Sequence, residues 1–278
     1  MAVILDGKKL REKLLTELKL NIDKLQIKPT LVVILVGENP ASKIYVNNKK
    51  KTAEKLGINS LVINYPEDVS ETELLAKIEE LNRDKYITAI LVQLPLPEHI
   101  SKENVINAIS PKKDVDGFTP YNVGRLFSGE EPLVYPCTPK GVLLLLDEYN
   151  IDLDGCHAVV VGRSGIVGRP MAQMLLNRNA TVTVCHSHSK NFEQIIKTAD
   201  VVVSAVGKNI IEGKMLKPGC VVVDVGIFKD ENGKTRGDVD FESASQVASY
   251  ISPVPGGVGP MTIASLMINT VELFEKNP

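Results

Sequence analysis

The fold is decided by AVVVGRSGIVGRP, residues 158–170. Its apolar run, 158–161, leads into Gly162, and a helix-forming segment, 167–177, begins a few residues later. This is the order of a parallel strand, a tight turn and a helix. Gly162 and Gly168 allow the backbone to turn sharply and approach a ligand closely, and the unpaired N–H groups at a helix start favour a pyrophosphate. The stretch therefore predicts a dinucleotide-binding turn.

The spacing of the glycines leaves a second interpretation open. The pattern is G-x-S-x-x-x-G, because Ser164 stands where the second glycine of G-x-G-x-x-G falls and the last glycine comes one residue late. An ordinary strand-to-helix turn that needs glycine only for its geometry would fit the same residues. The strand that follows favours the dinucleotide.

That second strand, ATVTVC at 180–185, ends without the Asp or Glu that usually binds the ribose hydroxyls of NAD. The residues that come next are mostly hydrogen-bond donors: His186, Ser187, His188, Ser189 and Lys190. Together with Arg163 they suit a 2′-phosphate better than a free ribose. The sequence therefore favours NADP over NAD.

Length and composition exclude several classes of protein. With 278 residues, 44% of them apolar, the chain is long enough for two domains with sizeable cores. A net charge of −2 argues against a nucleic-acid or anionic-membrane partner, since either needs clustered basic residues. No apolar run approaches the roughly 18 residues that span a bilayer, and residues 2–5 are too short for a signal-peptide core, so we expect a cytoplasmic protein. The four cysteines have neither C-x-x-C spacing nor nearby ligand-spaced histidines, so no metal or disulfide is predicted.

Helix and strand patterns alternate through the first third of the chain. Apolar residues at helical spacing predict an amphipathic helix over 6–26, followed by a buried strand over 31–36. Further predicted elements are a helix over 40–57, a strand over 61–65, a helix over 70–82 capped by Ser70, and a strand over 87–94. The alternation predicts a parallel α/β lobe.

Two loops interrupt this alternation. VQLPLP, 92–97, ends a strand in two prolines and leaves Gln93 near the carboxyl end of the sheet, where ligands usually bind. PKKDVDGFTP, 111–120, carries Asp114 and Asp116 in a polar segment, and its composition alone favours a solvated loop.

The remaining chain predicts a doubly wound nucleotide domain. A helix over 137–149 has Thr138 as its expected N-cap and Pro139 at its first position. Strands then follow at 158–161, 181–185, 201–205, 221–225 and 250–251. The polar run 230–237 is expected to be a surface turn or hairpin, the Pro/Gly-rich segment 252–262 can lie against a ligand, and 262–276 is a closing helix.

Lys49 falls in an unusual position on the second helix. At roughly 100° per residue it lies in the middle of an apolar cluster made of Tyr45, Val46, Ala53 and Leu56. Lys50 and Lys51 point away, as a solvated face does. An amine on an apolar face either reaches water along its own stem or is held in a partly desolvated cleft, where its neutral form can accept a proton. Helical geometry alone does not favour either of these two outcomes.

Several long blocks of sequence resemble one family. They are YVNNKKKTAEKLGI (45–58), LVQLPLP (91–97), PKKDVDGFTPYNVGRL (111–126), PCTPKG (136–141), VVVGRSGIVGRPM (159–171), TVTVCHS (181–187) and PVPGGVGPMT (253–262). In this order, and over nearly the whole chain, they resemble the methylenetetrahydrofolate dehydrogenase/cyclohydrolase family. The resemblance implies NADP-dependent oxidation of 5,10-methylenetetrahydrofolate to 5,10-methenyltetrahydrofolate, followed by hydrolysis to 10-formyltetrahydrofolate in the same cleft. It also implies a homodimer.

The resemblance assigns roles to particular residues. It implies that Lys49 is the catalytic group of the cyclohydrolase, that Tyr45 stacks on the folate, that Gln93 tunes the lysine, and that Asp116 binds the pterin. Leu94, Pro255, Gly256 and Gly257 are expected beside the folate. The residues expected around NADP are Thr138, Gly162, Arg163, Ser164, Ile166, Val167, Gly168, Ser187 and Ile227.

The expected architecture is α/β with two lobes. Residues 1–139 and 256–278 would form the folate-binding catalytic domain, to which the C-terminal helix returns, and residues 140–255 the Rossmann-type NADP-binding domain.

Three other functions are compatible with parts of this sequence. An NADP-dependent dehydrogenase of a small carboxylic acid would need a basic anchor, whereas Asp116 would repel an anion. A dinucleotide-binding sensor without catalysis, or a family member with dehydrogenase activity only, would have no use for Lys49 and Gln93 together.

Overall fold

The computed structural model describes residues 2–277, an α/β protein built on parallel sheets. The strands are β1 (Val3–Ile4), β2 (Thr30–Val36), β3 (Asn59–Tyr65), β4 (Ala89–Val92), β5 (His157–Val161), β6 (Thr181–Cys185), β7 (Val201–Ser204), β8 (Val221–Asp224), β9 (Phe228–Lys229), β10 (Thr235–Arg236) and β11 (Tyr250–Ile251). The helices are α1 (Gly7–Lys24), α2 (Pro40–Leu56), α3 (Glu71–Arg83), α4 (Lys102–Ala108), α5 (Pro120–Phe127), α6 (Cys137–Glu148), α7 (Gly168–Leu176), α8 (Phe192–Ile196), α9 (Phe241–Ala244) and α10 (Val258–Lys276). Within residues 2–277, none of these helices has the length and apolar character needed to cross a membrane.

One compact unit comprises residues 2–13 and 138–264 and contains the larger sheet. Its strands are all parallel, in the order β1-β11-β8-β7-β5-β6. Strand β5 lies between β6 and β7. The chain passes from β5 to β6 on one side and then crosses to β7 on the other side, which creates a switch point at the carboxyl end of β5. Every residue of β7 and β8 is buried, as in a parallel sheet covered on both faces. This confirms the predicted doubly wound sheet.

The second compact unit comprises residues 14–137 and 265–277. Its parallel sheet has the order β3-β2-β4, and the central strand β2 is buried along almost all of its length. Helix α10 enters this unit through Asn269, whose Nδ2 donates to the carbonyl oxygens of Val115 at 2.9 Å and Tyr135 at 2.8 Å. The prediction that the C-terminal helix returns to the N-terminal lobe is therefore confirmed.

The compact units divide the chain at different residues from the predicted domains. Residues 2–13 belong with the larger sheet because β1 pairs with β11, with Val3 beside Tyr250 and Ile4 beside Ile251. Residues 256–264 belong to the same unit, whereas the sequence placed both segments in the catalytic domain. Two residues are too few for a strand signal, so only the pairing reveals β1.

One predicted N-cap and one predicted helix start are wrong. Helix α6 begins at Cys137, so Thr138 lies inside the first turn and is not the N-cap. Helix α10 begins at Val258, four residues before the predicted start at Thr262, and so includes Pro260 in its first turn. Proline is tolerated there because the N–H it lacks would have no partner within the helix.

The segment 111–120 is not the solvated loop that its composition favours. Asp114 is only 2% exposed and Val115 is fully buried. The Asp114 carboxylate accepts hydrogen bonds from Thr119 N at 2.8 Å, from Asn122 Nδ2 at 2.9 Å and from Phe118 N at 3.2 Å. A carboxylate that accepts several N–H donors can be buried at a tolerable cost, which composition cannot reveal.

A second buried carboxylate, Asp224, ends β8. It accepts hydrogen bonds from Gly226 N at 3.1 Å and from Asp238 N and Val239 N, each at 2.9 Å. Burial raises the pKa of the Asp224 carboxyl to about 7, and the Asp238 carboxylate acts in the same direction against those N–H donors. The folded protein therefore holds a proton on Asp224 between the ordinary aspartate pKa of 3.8 and about 7.

We expect this proton to make stability fall as pH rises. A raised folded-state pKa contributes stability that is complete below the unfolded pKa and is lost as pH rises through about 7. Ionising the buried carboxyl should cost the folded state roughly 2–4 kcal/mol between pH 4 and pH 8. Asp224→Asn should lack this part of the pH profile, measured by thermal unfolding of the whole protein at a series of pH values. The exposed Asp152→Asn is the control, and identical profiles for D224N and wild type would contradict the assignment.

Candidate functional site

The turn after β5 joins the carboxyl ends of three neighbouring strands. Gly162 has a φ of +113°, and a Cβ there would lie 2.6 Å from the carbonyl oxygen of Ala205, directly after β7. Gly162 N donates to the carbonyl oxygen of Cys185, the last residue of β6, at 2.8 Å. Only glycine meets both the positive φ and the close approach. The turn therefore lies at the switch point, where doubly wound sheets bind their ligands.

Ser164 has a local structural role that explains its place in the motif. Its Oγ accepts hydrogen bonds from Val167 N at 3.2 Å and Gly168 N at 3.3 Å, so the hydroxyl orders the entry into α7. A Cβ on Gly168 would collide with the carbonyl of Gly162, so glycine is required where the helix meets the strand. Gly165 has open space around it, and Arg163 and Ser164 are exposed. Such a turn can admit a pyrophosphate against its backbone.

The segment after β6 carries positive and neutral donors. His186 N donates to Ser189 Oγ at 2.9 Å, and His186 Nδ1 accepts from His188 N at 3.2 Å. Burial lowers the pKa of His186, and the charges of Arg163 and His188 act in the same direction. Arg163 therefore lies near enough to the end of β6 for its charge to act on His186. No carboxylate occurs in residues 186–190. These groups fit a phosphate better than a ribose diol.

The other residues predicted around the dinucleotide belong to the same unit. Ile166 and Val167 lie half-buried in the turn, and Ser187 is exposed after β6. Thr138 Oγ1 is 3.1 Å from Thr262 Oγ1, in a hydrogen bond between the starts of α6 and α10. Ile227 follows β8 and is 47% exposed.

The segment of Pro255, Gly256 and Gly257 lies in the unit of the larger sheet, not in the unit of Lys49. The Gly256 carbonyl accepts from Lys8 N at 3.1 Å, and a Cβ on Gly7 would collide with the Gly257 carbonyl. The segment is therefore packed against the start of α1 by its backbone.

Lys49 is held by a hydrogen bond in the second unit. Its Nζ donates to Gln93 Oε1 at 2.9 Å, and Gln93 Nε2 donates onward to the Leu94 carbonyl at 2.8 Å. Gln93 N is bonded to the Ile34 carbonyl at 2.8 Å, which places Gln93 at the carboxyl end of the small sheet. Lys49 is half-buried, and Tyr45, one turn earlier on α2, is 47% exposed. The hydrogen bond to Gln93 therefore restrains the Lys49 amine.

Asp116 completes the cluster around Lys49. Burial raises the pKa of the Asp116 carboxyl above its ordinary value, Asp114 adds to the rise, and the charge of Lys49 and a hydrogen bond with Cys137 oppose it. A narrow cavity beside it is lined by Leu94, Asp114, Asp116 and Phe118, among others. An amine, an amide, a carboxylate and an exposed aromatic ring therefore lie within one unit. Such a set can bind a flat polar ring and move a proton.

Sequence reasoning missed the residues that hold Asp116 in place. Asp114 fixes the loop, Cys137 Sγ donates to the Val115 carbonyl at 3.4 Å, and Asn269 Nδ2 donates to the same carbonyl at 2.9 Å. Asn269 is fully buried in α10, and a polar residue on the apolar face of a closing helix is the signal that could have identified it.

Two family models match the chain. Residues 5–116 match the tetrahydrofolate dehydrogenase/cyclohydrolase catalytic domain, and residues 136–278 match the tetrahydrofolate dehydrogenase/cyclohydrolase NAD(P)-binding domain.

Individual relatives match over almost the whole chain. The bifunctional protein FolD of Lactococcus lactis subsp. cremoris is 54% identical over 272 residues, which cover 96% of this chain and 95% of the relative. The crystal structure of bifunctional FolD methylenetetrahydrofolate dehydrogenase/cyclohydrolase from Campylobacter jejuni is 51% identical, with a TM-score of 0.98 and 100% of both chains covered. The Trypanosoma brucei enzyme, whose structure was solved with NADP cofactor and inhibitor, is 36% identical, with a TM-score of 0.95, covering 99% of this chain and 98% of that one.

Proposed function

The chain belongs to the tetrahydrofolate dehydrogenase/cyclohydrolase family, and from this we infer which of its residues carry out each reaction. It is a bifunctional enzyme: it oxidises 5,10-methylenetetrahydrofolate to the methenyl form with NADP, and it hydrolyses the methenyl form to 10-formyltetrahydrofolate. The family match argues against the acid dehydrogenase and the sensor, and the presence of Lys49 with Gln93 argues against a dehydrogenase alone.

The oxidation requires little from the protein beyond alignment. The methylene carbon lies between two nitrogens whose lone pairs expel a hydride and leave the methenyl cation, so no strong base is needed. Bound NADP supplies the hydride acceptor. The chain's own residues contribute by fixing the folate in one orientation and by binding the nucleotide.

Hydrolysis of the methenyl cation needs a proton acceptor. A water molecule adds to the cationic carbon, loses a proton, and the ring then opens to the formyl product. The amine of Lys49 is proposed as the group that takes this proton, with Gln93 holding it in place through the 2.9 Å hydrogen bond. A cationic substrate beside the amine favours its neutral form, because like charges repel. This hydrogen bond is the single observation that carries the proposal.

Asp116 and Tyr45 are proposed to bind the pterin ring. An ionised carboxylate can accept two parallel hydrogen bonds from the ring N–H and the amino group, and the exposed face of Tyr45 can stack on the ring. Leu94, Pro255, Gly256 and Gly257 are proposed as further folate contacts.

The nucleotide is proposed to bind at the turn after β5. The pyrophosphate and the adjoining parts of the nucleotide would contact Gly162, Ser164, Ile166, Val167 and Gly168. The open space beside Gly165 supports this placement. Arg163 and Ser187 would bind the 2′-phosphate that distinguishes NADP from NAD, and Thr138 and Ile227 are proposed as further contacts.

The cellular setting is also a proposal. We expect a cytoplasmic homodimer, as the family resemblance implies for the assembly. The net charge of −2 argues against nucleic-acid and anionic-membrane partners. Sedimentation velocity would decide the oligomeric state, and a monomer at micromolar concentration would contradict the dimer.

Lys49→Met should lower the cyclohydrolase rate by at least about 100-fold, because proton transfer by a positioned side chain contributes that much or more. The measurement is the loss of methenyltetrahydrofolate absorbance after subtraction of the spontaneous reaction. Lys50→Met is the matched control, since Lys50 lies on the solvated side of the helix, where its Nζ is 3.8 Å from Glu54 Oε1. Hydrolysis that K49M leaves unchanged would remove Lys49 from the mechanism.

Folate binding should weaken as pH falls through the raised pKa of Asp116. Below that pKa the carboxyl is protonated and can no longer accept both hydrogen bonds from the pterin, whereas above it the ion can. Titration calorimetry with folic acid, over a pH series that begins at the ordinary aspartate pKa of 3.8 and rises from there, would measure this dependence. Asp116→Asn should bind weakly at every pH, and the exposed Asp68→Asn should follow the wild type. A D116N profile parallel to that of the wild type would rule out the role.

Arg163→Ala should weaken NADP at least about tenfold and NAD by less than about threefold, since only NADP carries the phosphate that a charge-assisted hydrogen bond would hold. KM values for both nucleotides in the dehydrogenase assay measure the difference. Arg169→Ala, on the exposed side of α7, is the matched control. Equal losses for both nucleotides would place the 2′-phosphate elsewhere.

A further inference from the structure

Asp238 is a buried carboxylate that the mechanism above does not use. Its side chain is fully buried, and it accepts hydrogen bonds from four donors at the end of β7 and in the loop that follows. Oδ2 accepts from Ser204 Oγ and Val206 N, each at 2.7 Å. Oδ1 accepts from Gly207 N at 2.8 Å and Lys208 N at 2.9 Å. One side chain thus binds the backbone of three consecutive residues, 206–208.

The loop that Asp238 holds begins at the carboxyl end of β7, beside the nucleotide turn. Ala205 N donates to the Val161 carbonyl at 2.8 Å, and the Ala205 carbonyl oxygen is the atom that a Cβ on Gly162 would approach to 2.6 Å. Asp238 therefore fixes the chain immediately after the residue that forms one wall of the turn. A displacement of 206–208 would change the space around Gly162.

Asp238 is itself held by the end of the next strand. Asp224, at the end of β8, accepts from Asp238 N and Val239 N, each at 2.9 Å. Gly226 and Gly237 have no room for a Cβ, because it would collide with the carboxylate of Asp238 in the first case and of Asp224 in the second. Hydrogen bonds from backbone N–H groups to the two carboxylates therefore connect the ends of β7 and β8, and the two glycines leave room for those carboxylates.

Stability alone does not account for this arrangement. Two buried carboxylates close together carry a desolvation cost and repel each other, and apolar residues of similar volume often stabilise a fold as well or better. What a carboxylate can do and an apolar side chain cannot is fix several N–H groups in one geometry. A ligand site needs such precision from the residues that support it.

We propose that Asp238 is a positioning residue for NADP: by holding the backbone of 206–208, it keeps the carboxyl end of β7 in the geometry that the turn at Gly162 needs to bind the dinucleotide. This rests on the proposed function in one respect, namely that the turn is the NADP site. Asp238 itself need not contact the cofactor.

The test compares Asp238→Asn, Ser204→Ala and a control. An asparagine has one acceptor oxygen in place of two, so D238N must lose part of the loop's hydrogen bonds, whereas S204A removes only the 2.7 Å bond from Ser204 Oγ. Asp240→Asn is the matched control, because Asp240 accepts from Ser243 N at 2.9 Å as the N-cap of α9 and asparagine caps equally well. Calorimetric titration with NADP measures binding directly, and amide hydrogen exchange of 206–208 reports on the loop.

We expect NADP to bind about tenfold more weakly to D238N, about threefold more weakly to S204A, and within about twofold of wild type to D240N. Exchange at 206–208 should rise in the same order. The cyclohydrolase needs no nucleotide, so its rate should stay within about twofold in S204A and D238N, and kcat of the dehydrogenase at saturating NADP should change less than KM.

Three results would overturn the proposal. Unchanged NADP affinity in both variants would show that the loop does not support the site. Losses of cyclohydrolase and dehydrogenase in equal proportion would indicate only a structural role, and should D238N fail to fold, S204A makes the same distinction. If the wild-type protein does not bind NADP, the proposed cofactor site itself is wrong. If the wild type binds NADP and D238N binds it equally well, only the role of Asp238 is wrong.

Discussion

Parallel pairing of strands places the candidate functional groups at one edge of each sheet. In the larger sheet, Gly162, His186 and Ala205 follow the ends of β5, β6 and β7. In the smaller sheet, Gln93 follows β4, and its N–H is bonded to the carbonyl of Ile34 in β2. Because parallel strands end on the same side, residues far apart in sequence meet there without any need for a long-range signal. The groups proposed for both reactions are placed by this geometric consequence of the fold.

Three buried aspartates stabilise the loops at these strand ends. Asp114, Asp224 and Asp238 each accept several N–H donors, most of them from the backbone of a neighbouring segment. A loop cannot satisfy its own backbone as a helix or a sheet does, and an acceptor-only side chain with two oxygens meets that need at one point. The cost is the burial of an ionisable carboxyl group, which is visible in the raised pKa of Asp224. Rigid loops at the carboxyl edge therefore come with an electrostatic penalty that the rest of the core has to offset.

The hydrogen bond between Lys49 and Gln93 illustrates how the two levels combine. Helix α2 turns Lys49 away from Lys50 and Lys51, and the end of β4 supplies the amide that meets it at 2.9 Å. Neither the helix nor the strand alone determines which group the amine contacts. Their meeting gives the amine a hydrogen-bond partner and leaves Lys49 half-buried, which is compatible with the proton transfer proposed for it.

Much of this protein was determined by the sequence itself, through periodicity, turn residues and motifs. The alternation of strands and helices predicted both α/β units, the glycines of residues 158–170 predicted the turn after β5, and the position of Lys49 among apolar residues identified it as unusual. These features are local, because they depend on side-chain period and on backbone conformations that few residues can adopt. The tertiary structure alone decided the pairing of β1 with β11, the burial of the loop that carries Asp116, and the use of Asp238 to hold the end of β7. Each of these joins segments distant in the chain through hydrogen bonds to the backbone, and a backbone N–H is the same at every non-proline residue, so no pattern of side chains can reveal its partner.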